Sequence, residues 1–127
     1  SSAASDVYKR QVRGDAIRLE QVLINLLHNA LDAMTGKSFR RLEIRIECED
    51  EGWRLSVLDS GGGIAEEHLG NVFDPFFTTK PVGEGLGLGL AISYGIIHEA
   101  GSRLRVDNQP GGARFSFTLP RDPEPVC

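Results

Sequence analysis

A helical pattern near the start of the chain has an unusual polar face. Its polar residues are three and four positions apart, so they share one side of the helix. They are Arg18, Gln21, Asn25, His28, Asn29 and Asp32. Asparagine is a poor helix former, so two asparagines one turn apart suggest a role other than a solvated face. A carboxamide oxygen suits magnesium, which takes few protein ligands and completes its shell from phosphates and water.

A second candidate is Asp59, which ends a strand-like run and precedes Ser60-Gly61-Gly62-Gly63. Glycine adopts positive φ easily and lets the backbone approach a flat ligand closely. An Asp-Gly sequence taken alone is more often just a turn. If a ligand binds here, the carboxylate can accept a hydrogen bond from an exocyclic amine such as that of adenine.

A third candidate runs from Gly83 to Gly89 and places several glycines at the start of a predicted helix. Such a helix start presents backbone N–H groups and the positive end of the helix dipole to phosphate. Pro75, two phenylalanines and Pro81 precede the glycines instead of a strand, and the chain has no G-x-x-x-x-G-K-[ST] sequence. Both the Rossmann fold and the P-loop are therefore disfavoured.

Hydrophobic periodicity predicts the helices and strands that carry these residues. Helical spacing predicts one helix from Asp15 to Met34, ending at Gly36, and a second from about Gly87 to Glu99. Alternating apolar residues predict half-buried strands at 41–48 and 53–59, joined by a turn at 50–52, and two more at 103–108 and 113–119. This order indicates an α/β fold, a two-layer sandwich with a mixed sheet packed on helices.

Composition and charge narrow the function classes. The chain has 127 residues, the size of one domain, and a net charge of -4 without a Lys/Arg-rich run, which disfavours binding to nucleic acid or to an anionic membrane. Cys48 and Cys127 match neither a disulfide framework nor a metal-ligand spacing, which favours a reducing, cytoplasmic compartment. We expect residues 1–11 to be a linker or non-native sequence, residues 12–120 to form the functional domain, and residues 121–127 to be a flexible tail.

Four segments occur in the order typical of one ATPase superfamily. Asn25-Leu-Leu-His-Asn29-Ala resembles the N box of the GHKL (HATPase_c) superfamily, and Asp59-Ser-Gly61-Gly-Gly63 resembles its first glycine box. Phe73-Asp-Pro-Phe-Phe resembles the F box of histidine kinases, and Gly85-Leu-Gly87-Leu-Gly89-Leu the second glycine box. The chain is therefore similar to the ATP-binding catalytic domain of a sensor histidine kinase in a two-component system, with the Bergerat fold.

The resemblance implies ATP and Mg2+ as cofactors. It implies Asn29 as the metal ligand, Asp59 as the residue that reads the adenine amine, and a short lid from Phe73 to Gly85. The catalytic residues that it implies are Asn25, Asn29 and Lys80. The nucleotide-binding residues that it implies are Asn29, Asp32, Asp59, Gly61, Gly63, Ile64, Phe73, Thr79, Lys80, Gly85, Leu86, Gly87, Leu88 and Gly89.

Asn25 separates two branches of this superfamily. The chaperone, mismatch-repair and gyrase ATPases typically have a water-activating Glu at this position, whereas an amide cannot act as a general base. The resemblance therefore implies protein-histidine kinase activity, with the γ-phosphoryl group passing to another protein. The alternatives are a conformational ATPase module and a protein-serine kinase of the same fold.

The phosphoacceptor is expected to lie on another domain. His28 and His68 have no acceptor-like context, and His98-Glu99 is not followed by the Asn-Pro of an acceptor motif. The implied partners are a dimerisation and histidine phosphotransfer domain and a downstream response regulator. The implied location is cytoplasmic, either free or as the cytoplasmic part of a membrane-bound sensor.

Overall fold

A computed structural model describes residues 2–50, 52–78 and 88–120, with side chains of the first helix described from residue 15 onward. The described part contains three helices and four strands. They are α1 (Ser2–Ala33), β1 (Leu42–Glu49), β2 (Gly52–Asp59), α2 (Glu66–Leu69), α3 (Gly89–Glu99), β3 (Arg105–Gln109) and β4 (Gly112–Pro120).

Helix α1 buries one stripe of side chains. Val22, Leu26, Ala30 and Met34, each four residues after the last, are all buried. The helix begins at Ser2, well before the start predicted at Asp15. Periodicity detects only a buried face, whereas an existing helix extends at little cost through good helix formers such as Ala, Lys, Arg and Gln. The assignment of residues 1–11 as a linker stays a prediction.

The four strands form one sheet in the order β1-β2-β4-β3. Every pairing in the described residues is antiparallel, from Leu42 opposite Asp59 in the first hairpin to Arg105 opposite Ser116 in the last. The predicted α/β sandwich is confirmed, whereas the prediction of a mixed sheet is wrong for this part of the chain. Short turns join β1 to β2 and β3 to β4, and such turns impose antiparallel pairing.

The core lies between the two long helices and the middle of the sheet. Phe115 and Phe117 of β4 pack with Leu26 of α1 and Ile97 of α3. Strand β1 lies at the sheet edge, and its Ile44 and Ile46 are 50% and 65% exposed, so the prediction that it is half-buried is wrong. Alternation identified the strand, but only the position of the helices decides which strands are covered.

Two further findings concern the helices and the cysteines. Among the described residues, no helix combines the length and apolarity that crossing a bilayer requires. Cys48 is disulfide-bonded, which contradicts the expectation that the cysteines are reduced. Cys127 lies outside the described residues.

Candidate functional site

Asn25 connects helix α1 to the start of helix α3. Its Nδ2 donates to the carbonyl oxygen of Gly89 and to Oγ of the fully buried Ser93, both at 3.2 Å. The two donors of the carboxamide are thus both used. The contact joins the polar face of α1 to the second glycine-rich segment, 64 positions away. Sequence reasoning predicted a catalytic role for Asn25, and the structure adds a positioning contact that it missed.

Asn29 lies one turn further along the same face of α1. Its side chain is half-buried and makes no hydrogen bond with any described residue. At 1.5 Å per residue, Asn29 lies about 6 Å along the axis from Asn25 and about 6 Å from Ala33. Because Asn25 contacts Gly89 and Ala33 contacts the loop after β2, Asn29 lies midway between the two glycine-rich segments.

The sequence predicts Asn29 as a metal ligand, and that role stays a prediction. The described residues contain no group of three or more His, Cys, Asp or Glu side chains that could hold a metal ion. Asp32, also predicted to bind nucleotide, is exposed in the last turn of α1.

Asp59 ends β2 and is buried. Its Oδ1 accepts a hydrogen bond from the Gly61 backbone N–H at 2.8 Å, which closes a tight turn. Its other oxygen, Oδ2, makes no hydrogen bond with a described residue, so it can still accept one from a ligand. One carboxylate thus shapes the loop and presents an acceptor within it.

The loop at 60–64 is held against the end of α1. A Cβ on Gly61 would lie 2.6 Å from the Ala33 carbonyl oxygen, so no side chain fits at this position. The neighbouring Ser60 Oγ accepts a hydrogen bond from Arg41 N at 2.7 Å and donates one to Met34 Sδ at 3.4 Å. These contacts hold the backbone after Asp59 against the C-terminal end of α1.

The same loop also lies on the β3–β4 hairpin. Gly62 N donates to the Gly111 carbonyl oxygen at 3.0 Å, and Asn108 bonds both backbone groups of Ile64. A Cβ on Gly112 would lie 1.6 Å from the Asp59 carbonyl oxygen, so the start of β4 passes directly against the end of β2. Sequence reasoning did not single out Asn108 or Gly112, although asparagine is depleted in strands and was a signal.

Phe73 packs toward the core, and its nucleotide-binding role stays a prediction. Its ring stacks on Tyr94 at 5.2 Å and meets the edge of Phe115 at 6.1 Å. Phe73 and Ile64 are both partly buried side chains that pack against the core. Their side chains therefore anchor the loops, and Phe73 shapes the site through packing with the core.

The start of α3 is the remaining part of the site. Leu88 precedes the helix without a side-chain cap, so the N-cap residue leaves the first N–H groups of α3 without a side-chain acceptor. A Cβ on Gly89 would meet Asn25 at an ordinary 3.8 Å, so space alone does not require glycine there. Thr79, Lys80, Gly85, Leu86 and Gly87 lie outside the described residues, and their predicted roles stay predictions.

Asp107 and Arg114 pair across the hairpin that carries Asn108. Arg114 Nε donates to Oδ1 at 3.0 Å and Nη2 to Oδ2 at 2.8 Å, a bidentate geometry. The hydrogen bonds that Arg114 donates to Asp107 raise the pKa of Arg114 above its ordinary value; desolvation opposes this effect, and the negative charge of Asp107 adds to it. Arg114 therefore stays charged, and the pair supports the register of β3 on β4.

Residues 14–123 match the family model of the histidine kinase-, DNA gyrase B- and HSP90-like ATPases. The two-component sensor PprA of Pseudomonas aeruginosa is 46% identical over 114 residues, covering 86% of this chain and 12% of that protein. The C4-dicarboxylate transport sensor protein DctB of Rhizobium meliloti is 44% identical over 109 residues, covering 86% of this chain and 17% of that protein. The chain thus spans less than a fifth of the length of these two relatives.

Solved structures show the same architecture. The catalytic domain of histidine kinase ThkA in a nucleotide-free form is 40% identical with a TM-score of 0.72, covering 83% of this chain and 67% of that chain. The mycobacterial sensor histidine kinase MprB is 32% identical with a TM-score of 0.70, covering 81% of this chain and 72% of that chain.

Proposed function

We propose that this chain, which belongs to the family of histidine kinase-, DNA gyrase B- and HSP90-like ATPases, binds ATP with Mg2+ and transfers the γ-phosphoryl group of ATP to a histidine on another domain. The chain is related in particular to the catalytic domain of a histidine kinase. The two solved structures named above are those of histidine kinases, and the two sequence relatives are named as sensors, which favours this function over a conformational ATPase module or a serine-directed kinase. The partner is a dimerisation and histidine phosphotransfer domain of the parent protein, with a response regulator as the downstream acceptor.

One observation carries this proposal. Asn29, with no hydrogen bond among the described residues, lies on α1 between the Asp59 loop and the start of α3. The loop offers a buried carboxylate and a close-approaching backbone, both suited to a purine base. The helix start offers N–H groups suited to phosphate. A nucleotide with its base at Asp59 and its phosphates near Gly89 would pass Asn29 on the way.

Each residue then has a distinct task. Asp59 accepts a hydrogen bond from the exocyclic amine of adenine through Oδ2, while Oδ1 keeps the loop closed. Asn29 supplies one oxygen to magnesium, which neutralises phosphate charge when bound. Asn25 holds the start of α3 and brings no base to the site, so water near the γ-phosphate is not activated by this side chain.

The transfer itself needs mainly positioning and charge stabilisation. The bond from the γ-phosphorus to the bridging β–γ oxygen breaks, and a bond from that phosphorus to a histidine nitrogen forms, leaving ADP. Lys80 is the predicted cation for the developing charge. A cytoplasmic location stays a prediction that suits a domain dependent on a supply of ATP.

Calorimetry with magnesium and either ATP or GTP tests the base-reading role of Asp59. We expect a preference for ATP of about ten- to a hundredfold, because guanine presents a carbonyl to an acceptor that then stays unpaired. Asp59→Asn keeps the acceptor for Gly61 but offers guanine a donor, so the preference should shrink. Asp15→Asn, an exposed position on α1, is the matched control. Equal affinities for ATP and GTP in the unaltered chain would refute the adenine role of Asp59.

A second assay tests the kinase activity. The chain is mixed with a dimerisation domain that carries an acceptor histidine, and acid-labile phosphohistidine is measured with magnesium and ATP. Labelled acceptor is the expected result. ATP hydrolysis without labelled acceptor, tried with acceptor domains from several of the related sensors, would instead favour a conformational ATPase.

A further inference from the structure

Asn108 clamps the glycine-rich loop to strand β3. Its Oδ1 accepts a hydrogen bond from Ile64 N at 2.8 Å, and its Nδ2 donates to the Ile64 carbonyl oxygen at 2.7 Å. A single carboxamide thus pairs with both backbone groups of one loop residue, as a neighbouring strand would. Both distances are short for hydrogen bonds of this type.

Gly63 has the conformation and the lack of a side chain that this clamp requires. Its φ is +86, and a Cβ built on it would lie 2.7 Å from Asn108 Oδ1 and 3.2 Å from Asn108 Cγ. A side chain at position 63 would therefore collide with the carboxamide. The sequence motif presents Gly63 as a glycine needed near the base, and the structure shows that Asn108 also requires it.

The hairpin that carries Asn108 is itself well fixed. The carbonyl oxygen of Gly111, in the turn of the hairpin, accepts a hydrogen bond from Gly62 N at 3.0 Å, and two hydrogen bonds join Asp107 to Arg114. The loop after Asp59 is thus attached to this hairpin at two positions, Gly62 and Ile64, on either side of Gly63. Movement of the hairpin or loss of the clamp would release the part of the loop that follows the Asp59 turn.

We propose that Asn108 is a positioning residue for base recognition. By holding Ile64, and with it Gly63, it sets the path of the loop beside the Asp59 carboxylate and so the preference of the site for adenine over guanine. The role rests on the proposed binding of ATP. Asn108 acts through the loop backbone, because both of its side-chain hydrogen bonds with described residues go to Ile64.

The test compares Asn108→Ala with Gln109→Ala. Gln109 is the next residue of β3. Among the described residues its side chain bonds only Asp107 and the Asn108 carbonyl oxygen, so its loss leaves the loop contacts intact. For each protein, ATP and GTP affinities are measured by calorimetry with magnesium, the exchange of the Ile64 amide hydrogen by NMR, and the unfolding midpoint in urea.

For Asn108→Ala we expect faster exchange at Ile64 and about fivefold weaker binding of ATP, since two exposed hydrogen bonds that order the loop are lost. Binding of GTP should change by less than about twofold, because guanine gains little from Asp59 in either protein, so the preference for ATP falls. Gln109→Ala should leave the exchange and the preference unchanged.

Two outcomes would overturn the role of Asn108. One is an unchanged Ile64 exchange rate; the other is an equal loss of ATP and GTP affinity, which indicates a merely structural contribution. If Asn108→Ala does not fold, Asn108→Asp is used instead, because its carboxylate still accepts from Ile64 N but offers no donor to the carbonyl. If the unaltered chain binds neither nucleotide, the proposed ATP site fails, whereas normal binding with an insensitive Asn108 refutes the clamp alone.

Discussion

Substituting Gly61 by alanine tests whether the loop after β2 depends on contact with α1. A Cβ at this position would lie 2.6 Å from the Ala33 carbonyl oxygen and 2.8 Å from both the carbonyl carbon and Cβ of Ala33. Two of these three atoms belong to the backbone at the end of α1, so no side-chain rotation relieves the clash. Either the loop or the end of the helix must move.

The size of the effect follows from this geometry. Overpacking of this kind costs about 1 to 3 kcal/mol. A displaced Gly61 also weakens its 2.8 Å hydrogen bond to Asp59 Oδ1, and so moves the carboxylate that is proposed to read adenine. We therefore expect Gly61→Ala to lower the free energy of unfolding by about 1 to 3 kcal/mol and the affinity for ATP by about tenfold.

Urea denaturation and calorimetry with magnesium and ATP measure the two quantities. Gly70→Ala is the matched control, because Gly70 lacks a positive φ and a Cβ there meets no atom within 4 Å. It should change the stability by no more than about 0.5 kcal/mol. Wild-type stability of Gly61→Ala would show that the loop does not pack on α1 as described. Lower stability with unchanged ATP affinity would leave the packing intact and refute its link to the nucleotide.

Three further substitutions follow from single contacts. Ser56 is buried, and its Oγ has no hydrogen-bond partner among the described residues. Ser56→Ala should therefore raise the free energy of unfolding by roughly 1 kcal/mol. A loss of stability in urea would instead reveal a partner for this hydroxyl. Asn25→Glu brings no donor to Gly89 O and should lower the free energy of unfolding by about 1 to 3 kcal/mol, whereas an unchanged urea midpoint would mean that this contact does not hold α3. Asn29→Ala should change stability by no more than about 0.5 kcal/mol but abolish phosphoryl transfer to a supplied acceptor domain, and transfer at the wild-type rate with magnesium would exclude Asn29 as the ligand.

Helices, strands and turns can be predicted from short stretches of the amino-acid sequence. The helical spacing of apolar residues from Asp15 to Met34 predicted α1, whose Val22, Leu26 and Ala30 are buried, although Ile17 and Leu31 are exposed. Alternation identified the four strands, and Asp59 with its glycines marked the loop that the structure places against the end of α1. Such signals are readable because helix and strand periods, turn residues and box motifs each involve a few neighbouring residues.

Which distant residues contact one another depends on the tertiary structure. Local patterns do not encode that Asn25 bonds Gly89, that Phe73 stacks on Tyr94, or that β1 lies uncovered at the sheet edge with Ile44 and Ile46 exposed. Asn108 shows the reason most directly, since its two partners lie 44 positions away and are backbone groups, which every residue other than proline presents alike. A side chain that binds backbone groups does not require a particular residue type in its partner. The role of Asn108 therefore becomes visible only in the folded structure, where β3 and β4 pack against the loop.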